Sequence, residues 1–351
     1  MVKFSPPKTK CMIISKKKRQ GVPPPLKMNG ATLENVESHK HLGITLSKNL
    51  SWNEHIEDIA TGAGRCLDIL NALKYKLDRA TLEKLYFSFV RSKLEYANIV
   101  WDNCSRHLSD LLEGVQYRAA KIISGGIHCT SHELIYRELG WEYLEERRHK
   151  QRLKVLFKTV MGNTPTYLQN SFPEPVGENN RYALRNEQNF PQIRARTSAF
   201  QNSFIPKTIQ DWNNLENDIK SSATLETFTH KLNTPPRDVP KWFYSGQRSP
   251  SINHAKLRML CSPLNDPLFS HIHVVESPAC ACGHFRENNK HFLLECSLFV
   301  NERRVMINKL TQINFQPSLN NLLYGNKEYD DQCNFQAFGI IQEYIIATGR
   351  F

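Results

Sequence analysis

Three cysteines and a histidine, Cys280, Cys282, His291 and Cys296, constrain this chain more than any other feature, through the spacing C-x-C-x8-H-x4-C. Thiolates and an imidazole are the ligands that close a tetrahedral structural zinc site. The stretch from Pro278 to Cys296 has little apolar surface of its own to bury, so a bound metal would supply much of its folding free energy. Gly283 lets the chain turn directly after the first two cysteines. Two alternatives stay open at this level: His284 can stand in for His291 as ligand, and three buried free thiols beside a surface histidine would leave the same pattern. Clustering favours ligation, and structural zinc is the expected cofactor.

The remaining six cysteines (Cys11, Cys66, Cys104, Cys129, Cys261, Cys333) are scattered, with no disulfide framework spacing. They read as buried thiols of a reducing compartment, hence nucleus or cytoplasm. The start, Met1-Val2-Lys3-Phe4-Ser5, has no apolar core like that of a signal peptide. No run of about 18 apolar residues is present, so no membrane partner is expected. At 351 residues the chain is long enough for two or three domains, and its net charge of +12 points to a polyanionic partner, most simply nucleic acid.

Along the chain, strand signals come first. Cys11-Met12-Ile13-Ile14 reads as a short strand, and Asn29-Gly30 as a two-residue hairpin turn. His41-Leu42-Gly43-Ile44-Thr45-Leu46 reads as a further strand, with Gly43 permitting close backbone approach. Lys16-Lys17-Lys18-Arg19, with Lys8 and Lys10, is a candidate phosphate contact, with a solvated loop as the alternative. Helical spacing then takes over. Ser51 and Glu54 suggest a capping box before an amphipathic helix through Leu73, and Asp78 a cap for a helix carrying Leu82, Leu85, Tyr86, Phe89, Leu94, Ala97 and Trp101 on one face.

Further helices are expected over Leu108–Ser124, Tyr143–Met161, Phe200–Ile219, Thr224–Leu232, Ser251–Cys261, Asn301–Leu310 and Gln332–Ala347. The Tyr143–Met161 segment carries Arg147, Arg148, Lys150, Arg152, Lys154 and Lys158, a density that can track a phosphate backbone or simply form a solvated face. Thr164–Arg196 reads as loop, and Asn233–Asp238 as a linker. Tyr329-Asp330-Asp331 is reminiscent of a magnesium-binding carboxylate pair, but such chemistry needs a tight strand turn and a third acid. Its polar setting just before a helix makes Asp331 an N-cap instead.

The order of phrases resembles the C-terminal part of reverse transcriptases from non-LTR, LINE-type retrotransposons of the jockey-like kind. Lys8-Thr9-Lys10-Cys11-Met12-Ile13-Ile14-Ser15 is similar to the segment after the catalytic loop. Leu42-Gly43-Ile44, running on to Leu50-Ser51-Trp52, is similar to the primer grip and its exit into the thumb. Leu94-Glu95-Tyr96-Ala97, Val115-Gln116-Tyr117-Arg118-Ala119-Ala120, Leu144-Glu145-Glu146-Arg147-Arg148, Trp212-Asn213 and Cys261-Ser262-Pro263-Leu264-Asn265 are further matching phrases. The closing His-x4-Cys of the cysteine cluster ends as zinc knuckles do.

The resemblance implies a mainly α fold with a small N-terminal antiparallel β segment (a palm remnant, 1–50), a helical thumb-like and connector region (51–235), and a C-terminal CCHC zinc-knuckle domain (236–351). It also implies RNA-directed DNA polymerisation, with magnesium, for the intact family enzyme. Two departures matter. Leu215-Glu216 stands where the family often has Leu-Pro, and the aromatic-x-Asp-Asp motif expected ahead of Lys8 is not found. The expectation is therefore binding of RNA, RNA–DNA hybrid or target DNA without catalysis by this chain. Orphaned strands carrying Ile13, Ile14, Ile44 and Leu46 would offer an exposed β edge for association. The alternative is a zinc-containing interaction or scaffold protein whose basic surface is incidental.

Overall fold

The computed structural model describes residues 5–15, 24–128, 130–179, 186–233 and 238–351. Lys16, Lys17, Lys18, Arg19, Cys129 and most of the expected linker lie outside the described residues. The fold is mainly helical, with short strands confined to the N-terminal region.

Those strands are β1 (Lys10–Cys11), β2 (Lys27–Met28), β3 (Ala31–Thr32), β4 (Glu34–Asn35), β5 (Ser38–His41) and β6 (Ile44–Ser47). β2 and β3 form the expected hairpin, with Asn29 and Gly30 both at positive φ (49° and 81°), a backbone whose twist matches that of the paired strands. The segment expected as one strand from His41 to Leu46 is instead a second hairpin. β5 pairs antiparallel with β6 in the register His41↔Ile44, and Leu42-Gly43 is its turn (φ 47° and 81°). The polar run Ser38-His39-Lys40-His41 carries no apolar alternation, so the first arm of this hairpin had no pattern to reveal it. Leucine at positive φ is sterically costly, and the Tyr96 hydroxyl holds it there by donating to the Leu42 carbonyl at 3.0 Å. The expected Cys11–Ile14 strand reduces to Lys10–Cys11, paired parallel to β4. Ile13 and Ile14 are exposed, whereas Ile44 and Leu46 are half-buried.

The Asn53–Leu73 helix buries Ile56, Ala60, Ala63, Leu67 and Leu70, the stripe its spacing predicts. Its expected capping box does not form: the Ser51 hydroxyl accepts from Asn53 N–H, and Glu54 accepts from Ser38. Asp78 does cap the next helix, accepting from Thr81 N–H at 2.8 Å. That helix is not continuous to Trp101. It runs Arg79–Leu85, widens into a π turn over Tyr86–Arg91, resumes at Ser92–Leu94, and breaks at Ala97 (φ 49°) before Asn98–Trp101. The buried row explains the widening. Leu82, Tyr86, Val90 and Leu94 recur every four residues, and a regular 3.6-residue helix would rotate such a row by about 40° per step. A π turn absorbs that drift, and it leaves Phe89, expected on the same face, exposed.

Helices over Arg106–Ser124, Leu144–Val160, Leu225–Leu232, Arg248–Arg258, Val300–Gln312 and Asp331–Ala347 follow the expected segments. Phe200–Ile219 is divided into Ser198–Gln201, Phe204–Asn213 and Asn217–Lys220. The last helix is capped by Asp330, whose carboxylate accepts from Cys333 N–H, rather than by Asp331, which pairs with Lys241.

The chain divides into two compact units. Met1–Ala63, Lys93–Glu113 and Leu144–Thr234 form the first, with a core of Leu153, Leu156, Phe157, Phe190, Ile209, Trp212 and Phe228. Phe157 and Phe228 stack within it at 4.3 Å. Gly64–Ser92, Gly114–Tyr143 and Pro235–Phe351 form the second, where Leu257, Phe292, Leu293, Leu310, Phe338, Ile341 and Tyr344 build a separate core.

Candidate metal centre and nucleic-acid interface

The second unit brings the four expected ligands together. Cys280 Sγ lies 3.8 Å from Cys296 Sγ, Cys282 Sγ lies 3.3 Å from His291 Nε2, and the four ligand atoms are all within 4.8 Å of one another. A tetrahedral zinc with sulfur at about 2.3 Å and nitrogen at about 2.0 Å would hold two thiolates about 3.8 Å apart and a thiolate and imidazole about 3.6 Å apart. The donor set and spacing therefore fit a metal ion, zinc included.

Local backbone chemistry makes this arrangement. Gly283, at φ 90°, closes the first turn by donating to the Cys280 carbonyl at 3.0 Å. Cys280 N–H then bonds the His284 carbonyl, and Glu287 N–H bonds Pro278, folding the loop back on itself. The other two ligands sit at the ends of a single π turn, where Cys296 N–H donates to the His291 carbonyl at 2.7 Å. Between them, Phe292 and Leu293 are fully buried in the core of the unit, and the Tyr344 hydroxyl donates to the Phe292 carbonyl. Arg303 donates to the Cys296 carbonyl at 2.8 Å. The ligand-bearing turn is thereby fastened to the Val300–Gln312 and Asp331–Ala347 helices.

His284 stacks on His291 at 4.2 Å and turns Nδ1 toward Arg286. His291 is the histidine grouped with the three cysteines, while His284, His291 and Glu295 make a second close set. Burial, reinforced by the neighbouring thiols, pushes the Cys280 thiol up to about 12, whereas the His284 backbone N–H draws Cys282 down. Burial and His284 lower His291, which keeps its imidazole neutral and able to ligate near neutral pH. Metal binding must then release protons from thiols and weaken in acid.

The basic residues are placed less uniformly. Lys8 is exposed, and Lys10 pairs with Glu34 at 3.2 Å. On the Leu144–Val160 helix, Arg147 pairs with Glu95, and Lys150 donates to Asn233 at 2.8 Å. Lys154 is half-buried and Lys158 exposed. Arg148 and Arg152 are both buried at 3% exposure and converge on Asp102, which is itself 8% exposed. Arg152 also reaches Asp211 at 2.6 Å. Much of the positive charge on this helix thus serves internal ion pairs. Asp102 escaped sequence reasoning because a lone aspartate has no period, and its partners lie 46 and 50 residues away. Leu42 and Gly43 form the turn of the second hairpin and Ile44 is the first residue of β6, with Leu42 77% exposed.

Asp330 and Asp331 are committed to a helix cap and to Lys241. Among the described residues, the groups of three or more potential ligands are the two around His291, and neither includes these aspartates. Among the described residues no helix is long and apolar enough to cross a membrane.

No family model matches the chain, and no solved structure matches it. It is similar to a Drosophila melanogaster protein described as a probable RNA-directed DNA polymerase from transposon BS, at 24% identity over 160 residues. The match covers 43% of this chain and 17% of that protein, so the chain spans only a small part of its relative. The similarity supports a relationship to transposon-encoded reverse transcriptases.

Proposed function

We propose that this chain is a nucleic-acid-binding piece of a non-LTR, jockey-like retrotransposon reverse transcriptase, corresponding to its C-terminal part. In this reading the helical region around Leu144–Val160 is thumb-like and lies along RNA or an RNA–DNA hybrid, and Leu42-Gly43-Ile44 is the primer-grip-like turn. The segment from Cys280 to Cys296 is a zinc knuckle contacting element RNA or target DNA. The chain alone does not polymerise; magnesium chemistry belongs to the intact family enzyme. The observation that carries the reading is the gathering of three thiols and one imidazole into a single ligand set, in a chain similar to a transposon RNA-directed DNA polymerase. The net charge of +12 supports a polyanionic partner.

One observation favours a second reading. Arg148 and Arg152 are consumed by Asp102, as in a zinc-containing scaffold whose basic residues are structural. Salt titration separates the two. A fluorescein-labelled RNA and an RNA–DNA hybrid are each titrated with the full chain between 50 and 200 mM salt. The reverse-transcriptase reading expects log affinity to fall linearly with log salt, with a slope of about −0.7 per phosphate contacted on a single strand. Absence of binding at the low-salt end, or binding indifferent to salt, supports the scaffold instead.

A further inference from the structure

Within the first unit, a polar cavity of about 240 Å³ is lined by Asp102, Ser109, Arg106, Glu145, Arg148 and Lys207, among others. The charges around it balance overall but are unevenly placed, with cations crowded at the inner end. The Asp102 carboxylate receives three cations: Arg148 through Nε at 2.8 Å, Arg152, and Lys207 at 3.5 Å. Asp211 pairs with Arg152 at 2.6 Å and with His149 at 3.1 Å, and it also favours the charged form of Lys207. Glu145, on the rim, is engaged by the largely exposed Arg106 at 3.1 Å, and Arg106 also bonds Asp110. At the inner end Arg148, Arg152 and Lys207 thus share the Asp102 carboxylate, with Asp211 as a second partner of Arg152.

The hydrogen bonds there are unbalanced. Arg148 gives Nε to Asp102 and Nη2 to the Ser109 hydroxyl at 2.6 Å, yet its Nη1 is buried with no protein partner. A guanidinium is acceptor-free and charged at any physiological pH, so a buried unpaired N–H on it calls for an acceptor carrying negative charge. Burial lowers both Arg148 and Lys207 from their ordinary values, and Arg152 adds to the effect on Lys207, while Glu145 works against it at both.

We infer that this cavity is a phosphate-binding site, in which one phosphate group is held by Arg148 and Lys207, with Arg106 at the mouth. Phosphate offers several acceptor oxygens to a guanidinium and an ammonium together, and one of them would meet the buried, unpartnered Arg148 Nη1. The group can be inorganic phosphate or a phosphodiester of a bound strand. The phosphodiester assignment rests on the nucleic-acid reading above; the phosphate site does not. Arg148 would then be both an internal strut and the floor of a phosphate contact, so burial of charge on this basic helix is compatible with its binding a backbone.

The test uses the full chain and two probes. Inorganic phosphate is titrated calorimetrically into the wild type at ionic strength fixed with chloride, and the labelled RNA is titrated across salt. Lys207→Gln removes the ammonium while leaving Asp102 to its two arginines, and Lys207→Arg restores the charge. Arg106→Gln, at a position where the side chain is 76% exposed, provides a variant that does not disturb the buried pairs. The expected result is saturable phosphate binding, weakened about tenfold or more by Lys207→Gln, less by Arg106→Gln, and retained by Lys207→Arg. For RNA, Lys207→Gln is expected to lower the salt slope by about one. Phosphate binding lost in Lys207→Gln with RNA binding unchanged keeps the site and removes the phosphodiester assignment. No saturable phosphate binding by the wild type, or equal binding by Lys207→Gln and Arg106→Gln, overturns the site even where RNA binding itself persists.

Discussion

Replacing Glu138 with alanine is expected to destabilise the second unit by about 3–5 kcal/mol, the usual cost of stranding buried charges. Glu138, 4% exposed, binds Arg258 through both carboxylate oxygens at 2.7 and 2.8 Å, and receives Arg79 at 2.9 Å. Arg79 in turn holds Glu83, which accepts from the Tyr244 hydroxyl, and Arg258 lies 3.9 Å over the Phe243 ring. Removing the shared carboxylate leaves the buried Arg258 guanidinium without a counter-charge and Arg79 with Glu83 alone. Such a loss is a large part of the total stability of an ordinary domain, so thermal or urea melts should show it directly. Replacing Glu138 and Arg258 together by glutamine should recover part of the loss, because the cost lies in the uncompensated partner. Additive losses in the double variant would contradict this account.

The same carboxylate sets a pH dependence. Burial alone would raise Glu138, but Arg258 and Arg79 outweigh it and hold the carboxyl below its ordinary 4.5. A group with a lowered folded value binds fewer protons folded than unfolded, so its contribution is complete above about pH 4.5 and is lost as pH falls through the folded value. Wild-type stability should drop on acidification below that point, and Glu138→Ala should show a shallower drop.

Stripping metal with a strong chelator is expected to have the second large effect. The loop from Pro278 to Glu287 is held by three backbone hydrogen bonds within it, by Arg350 on the Glu287 carboxylate, by Asn265 on Glu287 and Ala279, and by the Arg286–Asp266 pair. Its cysteines crowd two buried thiols 3.8 Å apart. Metal binding would add free energy to these contacts, of order 10 kcal/mol for structural zinc. Phe292 and Leu293 sit between two of the ligands and inside the core, so loss of the ion should propagate to the Val300–Gln312 and Asp331–Ala347 helices. Amide exchange in those helices should accelerate on chelation and slow again on adding zinc. Unchanged protection after chelation would mean the loop stands without metal.

The cysteine cluster was legible because a ligand set that can hold a metal is written in residue type and short spacing, both visible in one dimension. So was the Asn29-Gly30 turn, where two residues tolerate positive φ. The Leu42-Gly43 turn was not, since leucine rarely adopts that backbone and the distant Tyr96 hydroxyl that bonds its carbonyl has no signature in the local sequence. The Tyr86–Arg91 π turn was hidden because a row spaced by four fits a regular helix over short stretches. A helix over His132–Leu139 passed unremarked, although Ser131 caps it and Gly140 ends it at φ 67°. The basic helix from Leu144 was legible as an element but not in its use: charge density in a sequence does not distinguish an arginine facing solvent from one facing Asp102.

Elemental analysis of the purified chain is the most direct measurement of the metal site on which this account centres. One equivalent of zinc per chain is predicted for the wild type, with none retained in Cys280→Ser/Cys296→Ser and the full equivalent kept in His284→Ala. A wild type free of metal after growth in zinc, or a double serine variant with undiminished zinc, would contradict it.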